Sequence, residues 1–174
     1  MDILAIILRL FHIFGAIIWI GIGFFMFLSL DPLVKKLGPE GKRLQGILLG
    51  QSNLNQIFPA AGGITILSGL LLYIKDSGMF AGNGLAWVGT GQGIVFGIGG
   101  LAGIGVMIMG ARVVRPLVEQ AQKIGAEIQA TGGKPTPEQA QAMASIDERM
   151  ERINRIDFVL MVVAVLCMAT ARYF

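Results

Sequence analysis

Four long apolar stretches dominate the pattern of hydrophobic and polar positions along the chain. They lie at about residues 3–30, 58–74, 93–110 and 156–171, and each carries few or no charged side chains. A helix needs about 20 apolar residues to cross about 30 Å of hydrocarbon at about 1.5 Å per residue. The pattern therefore predicts an all-α fold, a four-transmembrane-helix bundle that forms one integral membrane domain over residues 1–174.

Between the third and fourth stretches the sequence changes from apolar to amphipathic. The segments "ARVVRPLVEQAQKIGAEIQA" and "TPEQAQAMASIDERMERINR" have a helical pattern and are separated by "TGGKP". Thr136 followed by Pro137 and Glu138 is typical of a helix N-cap, a proline at the first helical position and an acidic first turn. We therefore predict a cytoplasmic helical hairpin over about residues 111–155 that extends spans three and four.

Composition and charge agree with a membrane protein and indicate its orientation. Hydrophobic residues make up 54% of the chain and charged residues only 14%, whereas about a quarter of a soluble domain is charged. Four of the fourteen Lys and Arg residues lie between spans one and two, and seven between spans three and four. The positive-inside rule then places both basic connections in the cytoplasm and both termini outside a bacterial inner membrane. The net charge of +3 reflects this topology, so we expect no nucleic-acid partner.

The only histidine of the chain, His12, lies within the first apolar stretch. An imidazole at bilayer depth needs a partner or a ligand, because its desolvation is otherwise uncompensated. Helical spacing of about 100° per residue brings a group of side chains within about 40° of one line, with Arg9 about 60° off it. We expect this face to point into the bundle, because lipid offers no partner to polar groups. The residues on the line are His12, Ala16, Trp19, Gly23 and Met26.

This face suits a b-type haem, with the imidazole as axial ligand, small residues leaving a flat gap for the macrocycle and the guanidinium facing a propionate. The predicted cofactor-binding residues are His12, Arg9, Gly15, Ala16, Trp19 and Gly23. Because the chain has one histidine, the second axial position would take a methionine, stay empty, or be filled across a dimer. The structural alternative is a histidine that donates its ring N–H to a backbone carbonyl or to a serine such as Ser68.

Copper is the alternative metal, since imidazole and thioether ligands suit Cu(I). The chain has nine methionines, and two of them, seven residues apart, share a face of the fourth span. Methionine is also a common filler of apolar helices, so the pattern leaves both interpretations open. The candidate metal ligands are His12, Met26, Met161 and Met168.

Two further patterns concern how the helices are arranged. The segment "LDPLVKKLG" after span one is echoed by "VRPLVEQAQKIG" after span three, as expected of a duplicated helix pair. In span three, glycines recur four residues apart, at Gly93 and Gly97 and at Gly99 and Gly103. Such spacing lets a neighbouring helix approach closely, and the alternative is room for a flat cofactor.

The segment "LRLFHIFGAIIWIGIGFFMF" places a histidine seven residues before a tryptophan that is followed by G-x-G. It resembles the first helix of small four-helix bacterial membrane proteins of the CopD-like and HemJ-like superfamily. The segments "GGITILSGLLLY" and "MATARYF" resemble its uncharacterised branch. For the HemJ-like oxidases the resemblance implies a haem held by the first-helix histidine, here His12, with Trp19 matching as well.

The HemJ-like pattern then continues to "PR…H", whereas this chain reads "FFMFLSLDPLVKKL", in which neither arginine nor histidine follows Pro32. The resemblance therefore does not extend to the oxidation of protoporphyrinogen. We expect a haem b protein that serves electron transfer or membrane redox chemistry, with a non-enzymatic structural or assembly subunit as the alternative and a copper-handling protein as the third. Its expected partners are the lipid bilayer and either a second copy or a larger membrane complex.

Overall fold

The computed structural model describes residues 2–79 and 84–174, and within these ranges it contains helices joined by short turns and no strand. The α-helices are α1 (Ile3–Phe25), α2 (Asp31–Leu37), α3 (Pro39–Gln51), α4 (Leu54–Asp76), α5 (Gly84–Val88), α6 (Gly91–Met109), α7 (Arg115–Ala130) and α8 (Pro137–Thr170). Two π-helical turns, Met26–Leu30 and Gly110–Val114, join α1 to α2 and α6 to α7, and a 3₁₀ turn, Ala171–Tyr173, follows α8.

Four continuous helical segments are long and apolar enough to cross a membrane, as the hydropathy pattern predicts. They are Ile3–Leu37, Leu54–Asp76, Gly91–Ala130 and Pro137–Tyr173. Each is longer than its apolar stretch, because hydropathy marks only the part that suits hydrocarbon and the helices continue into polar sequence. Large apolar side chains on the outer faces, such as Phe14 and Leu67, are exposed, as expected of surfaces that contact lipid.

The four spans form two helix pairs around one buried cluster. α1 packs along α4 and α6 packs along α8, while α4 and α6 join the two pairs. The cluster takes one buried side chain from each span, Trp19, Ala61, Val106 and Met161. The bundle is therefore closed most tightly at the level of this cluster, where all four helices meet.

Both halves of the chain contain the same irregular turn. A five-residue π-helical turn follows α1 and another follows α6, and the next helix has a proline at its second position, Pro32 or Pro116. Proline lacks an N–H and its ring collides with the carbonyl four residues before it in a regular α-helix. A π-turn widens the helix at this point, since its hydrogen bonds reach back five residues.

The hydrogen bonds of the two turns are equivalent. The N–H of Asp31 donates to the carbonyl of Met26, and the N–H of Arg115 donates to the carbonyl of Gly110. In each case the donor is the residue directly before the proline. The sequence echo after spans one and three therefore corresponds to the same local geometry, which supports a duplicated helix pair.

Polar contacts tie the α2–α3 connection to the first half of α8. The Asn154 amide donates to the Asp31 carboxylate at 3.0 Å, and the Lys35 ammonium lies 2.8 Å from the Glu151 carboxylate. Lys42 forms a further ion pair with Asp147 on the same helix. This part of α8 starts at the predicted N-cap, where the Thr136 side chain and Gln139 form a reciprocal capping box. The α2–α3 connection and the start of α8 thus lie at the same end of the bundle.

At the opposite end, two ion pairs, Asp2 with Lys75 and Arg9 with Asp76, join the start of α1 to the end of α4. Asp2 caps α1 by accepting a hydrogen bond from the Ala5 N–H at 3.1 Å, and it also pairs with Lys75. The Lys75 ammonium holds the pKa of the Asp2 carboxyl below its usual value, and the Ala5 N–H adds to this effect. These contacts lie at the end of the α1/α4 pair that is opposite the α2–α3 connection.

We expect Gly15→Ala to destabilise the α1/α4 pair, because an added Cβ would lie 2.6 Å from Thr65 Oγ1 and 3.1 Å from the Ala61 carbonyl oxygen. Overpacking of this kind typically costs about 1–3 kcal/mol. The matched control is Gly21→Ala on the same helix, where an added Cβ meets no atom within 4 Å. Thermal unfolding in detergent should show a lower Tm for Gly15→Ala and an equal or higher Tm for Gly21→Ala. Equal Tm values for the two variants would contradict the close approach.

Candidate functional site around His12

The imidazole of His12 points into the contact between α1 and α4. Its Nδ1 lies 2.8 Å from the backbone carbonyl oxygen of Thr65. Because a carbonyl oxygen only accepts hydrogen bonds, the ring must donate from Nδ1. In the neutral imidazole this fixes the Nδ1–H tautomer and leaves the lone pair on Nε2.

A glycine on α4 allows the ring to lie in this position. A Cβ added to Gly69 would be 2.7 Å from His12 Cε1 and 2.9 Å from Nδ1. The neighbouring Ser68 hydroxyl donates to the carbonyl oxygens of Ile64 and Thr65, so it satisfies its own hydrogen bonding within α4. The ring therefore rests on the backbone of α4 and is held there by one hydrogen bond.

The second ring nitrogen of His12 is the open position of the site. Nε2 makes no hydrogen bond to any of residues 2–79 or 84–174, and it is not among the fully buried polar atoms. His12 itself is only half-buried. Within the hydrocarbon of a bilayer, such a lone pair would be suited to a ligand or to a donor from another molecule.

The small residues that surround His12 on α1 hold helix contacts in this structure. Gly15 faces Thr65 and Ala61 of α4, and Gly23 faces Met161 of α8, whose Sδ lies 2.6 Å from the position of an added Cβ. Ala16 is half-buried. Side-chain and backbone atoms of α4 and α8 thus occupy the space predicted for a flat macrocycle, so this slot does not fit a haem while the helices are packed as here.

Trp19 belongs to the buried cluster rather than to the surroundings of the imidazole. Its side chain is only 4% exposed and packs over Gly62, where an added Cβ would lie 2.9 Å from Trp19 Cε2. The indole also contacts the Phe58 ring edge to face, with the centroids 6.4 Å apart. This position, about 10 Å along α1 from His12 at 1.5 Å per residue, makes the indole a core side chain.

Arg9, predicted to face a propionate, lies one turn before His12 on α1 and pairs with a carboxylate of the chain itself. Its Nη2 is 3.6 Å from Asp76 Oδ2, and the Arg9 and Asp76 side chains are 62% and 37% exposed. Exposed ion pairs of this kind contribute little to stability. The guanidinium therefore has a protein partner at the C-terminal end of α4.

The three candidate methionine ligands are not brought together with His12. Met161 packs against Gly23, and Met168 packs against Gly99 on α6. Met26 lies about 21 Å along the helix from His12 at 1.5 Å per residue and lines an apolar groove. Residues 2–79 and 84–174 also contain no group of three or more His, Cys, Asp or Glu side chains that is suited to holding a metal ion. The copper site therefore stays a prediction that these positions do not favour.

The residues that complete the site on α4 carry a signal in the sequence that the prediction did not use. Small side chains recur on one face of this helix, with buried Ala61, Thr65 and Ser68 and with Gly62 and Gly69 beside them. Such spacing of small residues is typical of helices that pack closely in membranes. The stripe marks α4 as a helix that can pack closely, but the glycines of α6 do the same, so the pattern alone does not choose the partner of α1.

Comparison of the chain with protein-family models, with curated proteins and with solved structures gives no match. The function therefore has to be inferred from the residues themselves.

The tautomer of the only histidine is directly measurable. In protein labelled with ¹⁵N-histidine, we expect one imidazole signal set with a protonated Nδ1 and an unprotonated Nε2 at neutral pH. Gly69→Ala should change these shifts, because the added Cβ displaces the ring from the Thr65 carbonyl. Gly63→Ala is the matched control on α4, since an added Cβ there meets no atom within 4 Å. A protonated Nε2 in the wild type would contradict the site geometry.

Proposed function

We propose that this multi-pass membrane protein binds haem b through Nε2 of His12 and serves electron transfer or another membrane redox reaction. The observation that carries the proposal is the hydrogen bond from Nδ1 to the Thr65 carbonyl oxygen, with Nε2 left open. Histidines that ligate metals usually donate their other ring N–H to a carbonyl or a carboxylate. That donation fixes the tautomer and makes the ligating nitrogen more basic.

The proposal gives the residues around His12 roles that differ from those first expected. The Thr65 carbonyl oxygen holds the Nδ1 proton, and Gly69 leaves room for the ring on the backbone of α4. Gly15 and Gly23 keep the helices together and do not receive the macrocycle. When bound, haem supplies one-electron chemistry whose potential depends on its ligands and surroundings. Since Met26, Met161 and Met168 do not lie beside His12, the iron would be held by His12 alone or together with His12 of a second copy.

We further propose that the protein lies in a bacterial inner membrane with both termini outside and the α7–α8 hairpin in the cytoplasm. The distribution of Lys and Arg supports this orientation. The polar contacts of α2 and α3 with α8 also support it, because they bring the two basic connections to the same end of the bundle. The ion pair of Arg9 with Asp76 then lies on the outer side.

A second candidate function is that of a structural or assembly subunit without a cofactor. Two observations favour it: the Nδ1 hydrogen bond to Thr65 and the packing of the ring over Gly69. Both hold α1 against α4 without any ligand on His12. In this case the imidazole stabilises a helix pair and the protein acts by binding a larger membrane complex.

Two substitutions of His12 distinguish these functions. Asn places an amide N–H near the position of Nδ1 and cannot ligate haem iron as imidazole does, whereas Ala removes both groups. If His12 is a haem ligand, purified wild type shows a Soret band, and both His12→Ala and His12→Asn lose it.

If His12 only holds α1 against α4 through its hydrogen bond, the purified wild type shows no Soret band. In that case His12→Ala lowers the Tm and His12→Asn largely restores it. A well-folded, colourless wild type that stays colourless after incubation with haemin would overturn the haem proposal. Gly21→Ala is the folding control, because it changes α1 without adding a contact.

The orientation is tested separately with reporters that are active on one side of the membrane only. A periplasmic reporter such as alkaline phosphatase fused after Phe174 should be active, and a cytoplasmic reporter at the same point should be inactive. Fusions within the connection between α7 and α8, at Lys134, should give the reverse. Activity of the cytoplasmic reporter after Phe174 would show that the chain is inverted.

A further inference from the structure

One carboxyl group of the fourth span has a buried oxygen without a partner. Asp157 lies at the start of the fourth apolar stretch, in a half-buried position on α8. Its Oδ1 is fully buried and makes no hydrogen bond to any of residues 2–79 or 84–174. It is the one buried side-chain oxygen or nitrogen in these ranges that has no partner. This carboxyl takes no part in the site around His12, so its surroundings need a separate explanation.

Apolar side chains flank the turn of α8 that carries Asp157. The next residue, Phe158, stacks on Phe27 of the first π-helical turn, with the ring centroids 4.3 Å apart. One turn after Asp157, Met161 belongs to the buried cluster in which the four spans meet, and it packs against Gly23 of α1. Asp157 therefore lies where α8 packs against the inner face of α1 and its π-helical turn.

Asp157 is also the last member of a polar stripe along α8. The four members recur every three or four residues, so each is a neighbour of the next on the helix surface. The first three members have partners on α2 or α3, and only Asp157 has none. In order along α8, the pairs are Asp147 with Lys42, Glu151 with Lys35 and Asn154 with Asp31.

No charged group of the neighbouring elements neutralises this carboxyl. Asp157 forms no ion pair within residues 2–79 and 84–174. Lys35 and Arg155 both face Glu151, at 2.8 Å and 3.6 Å, and Arg112 of the second π-helical turn is exposed. α6 carries no charged side chain, α4 carries charges only at its far end, and the first cation of α7 pairs within its own helix.

A carboxylate with an enclosed, unpartnered oxygen is unfavourable in a membrane span. An ionised carboxylate in apolar surroundings has to be paired, or it takes up a proton and becomes neutral. Ionisable residues within membrane spans accordingly mark ion pathways and proton relays. The second oxygen of Asp157, Oδ2, is not enclosed in the same way, which leaves the carboxyl open to proton exchange.

We propose that Asp157 is a proton-binding site of the bundle, and that at neutral pH its carboxylate has taken up one proton from water and is a neutral carboxylic acid. The ligand is a proton alone, so no electron is transferred and no other bond of the chain changes. The site lies at the end of the bundle that carries the α2–α3 connection. It is separate from His12, since Gly23 beside Met161 is about 17 Å along α1 from His12 at 1.5 Å per residue, and it does not depend on a bound cofactor.

The experiment is infrared spectroscopy of the full chain in lipid bilayers, with the wild type compared with Asp157→Asn. We expect the wild type at neutral pH to show the carbonyl stretch of a protonated carboxylic acid, which moves to lower frequency after exchange into D₂O. Asp157→Asn has nearly the same shape and should lose this band completely. Asp147→Asn is the matched control on the same helix and should keep the band, because the Asp147 carboxylate pairs with Lys42.

A wild type without this band at neutral pH would overturn the proposal, and so would a band that persists in Asp157→Asn. If the band is absent and sodium ions raise the Tm of the wild type but not of Asp157→Asn, the carboxylate binds a cation in place of the proton. If Asp157→Asn fails to fold, Asp157→Glu decides, because it keeps a carboxylic acid in a changed position. Its band should then appear at a shifted frequency, and an unchanged band would assign the proton to another residue.

Discussion

The close approach of α1 to α4 is the constraint on which the rest of the structure depends. In a bilayer there is little hydrophobic driving force between helices, so close packing and hydrogen bonds have to hold them together. Here the missing side chain of Gly15 leaves room for the backbone and the Thr65 side chain of α4. The missing side chain of Gly69 leaves room for the His12 ring. Only at this separation does Nδ1 reach the Thr65 carbonyl oxygen. The packing of the small residues and the orientation of the imidazole thus depend on the same separation of α1 and α4.

A second level of order is the repetition of a helix pair. Each half has a long helix with a π-helical turn before a proline, followed by a returning helix. The two halves differ in the connection between their helices. In the first half the connection contains the short helix α3, and in the second half it is the long α7–α8 hairpin. The ion pairs of Lys35 and Lys42 with α8 join these unlike connections. The repeated helices form the bundle of four spans. The two different connections lie at the end of the bundle where the ion pairs of Lys35 and Lys42 are found.

Most of the fold was predictable because the length and polarity of each span are set by local sequence. The inward orientation of the His12 face also followed from helical periodicity, and burial of Gly15 and Trp19 agrees with it. What fills the space beside that face was not predictable in the same way. A small residue accepts a flat cofactor or a neighbouring helix equally well, and periodicity does not say which helix packs there. The partner of Arg9 was missed for the same reason, since Asp76 lies 67 positions along the chain.

The most direct test of this account is a disulfide cross-link between α1 and α4. The chain for this test carries Gly15→Cys and Thr65→Cys, with the native Cys167 replaced by Ala. An added Cβ at Gly15 lies 2.6 Å from Thr65 Oγ1, so the two Cβ atoms fall near the separation of about 3.5–4.5 Å that a disulfide needs. The account predicts rapid intramolecular cross-linking on mild oxidation in the membrane, and none when Gly21→Cys replaces Gly15→Cys. Absence of the first cross-link, or equal cross-linking from both positions, would contradict the arrangement of α1 and α4.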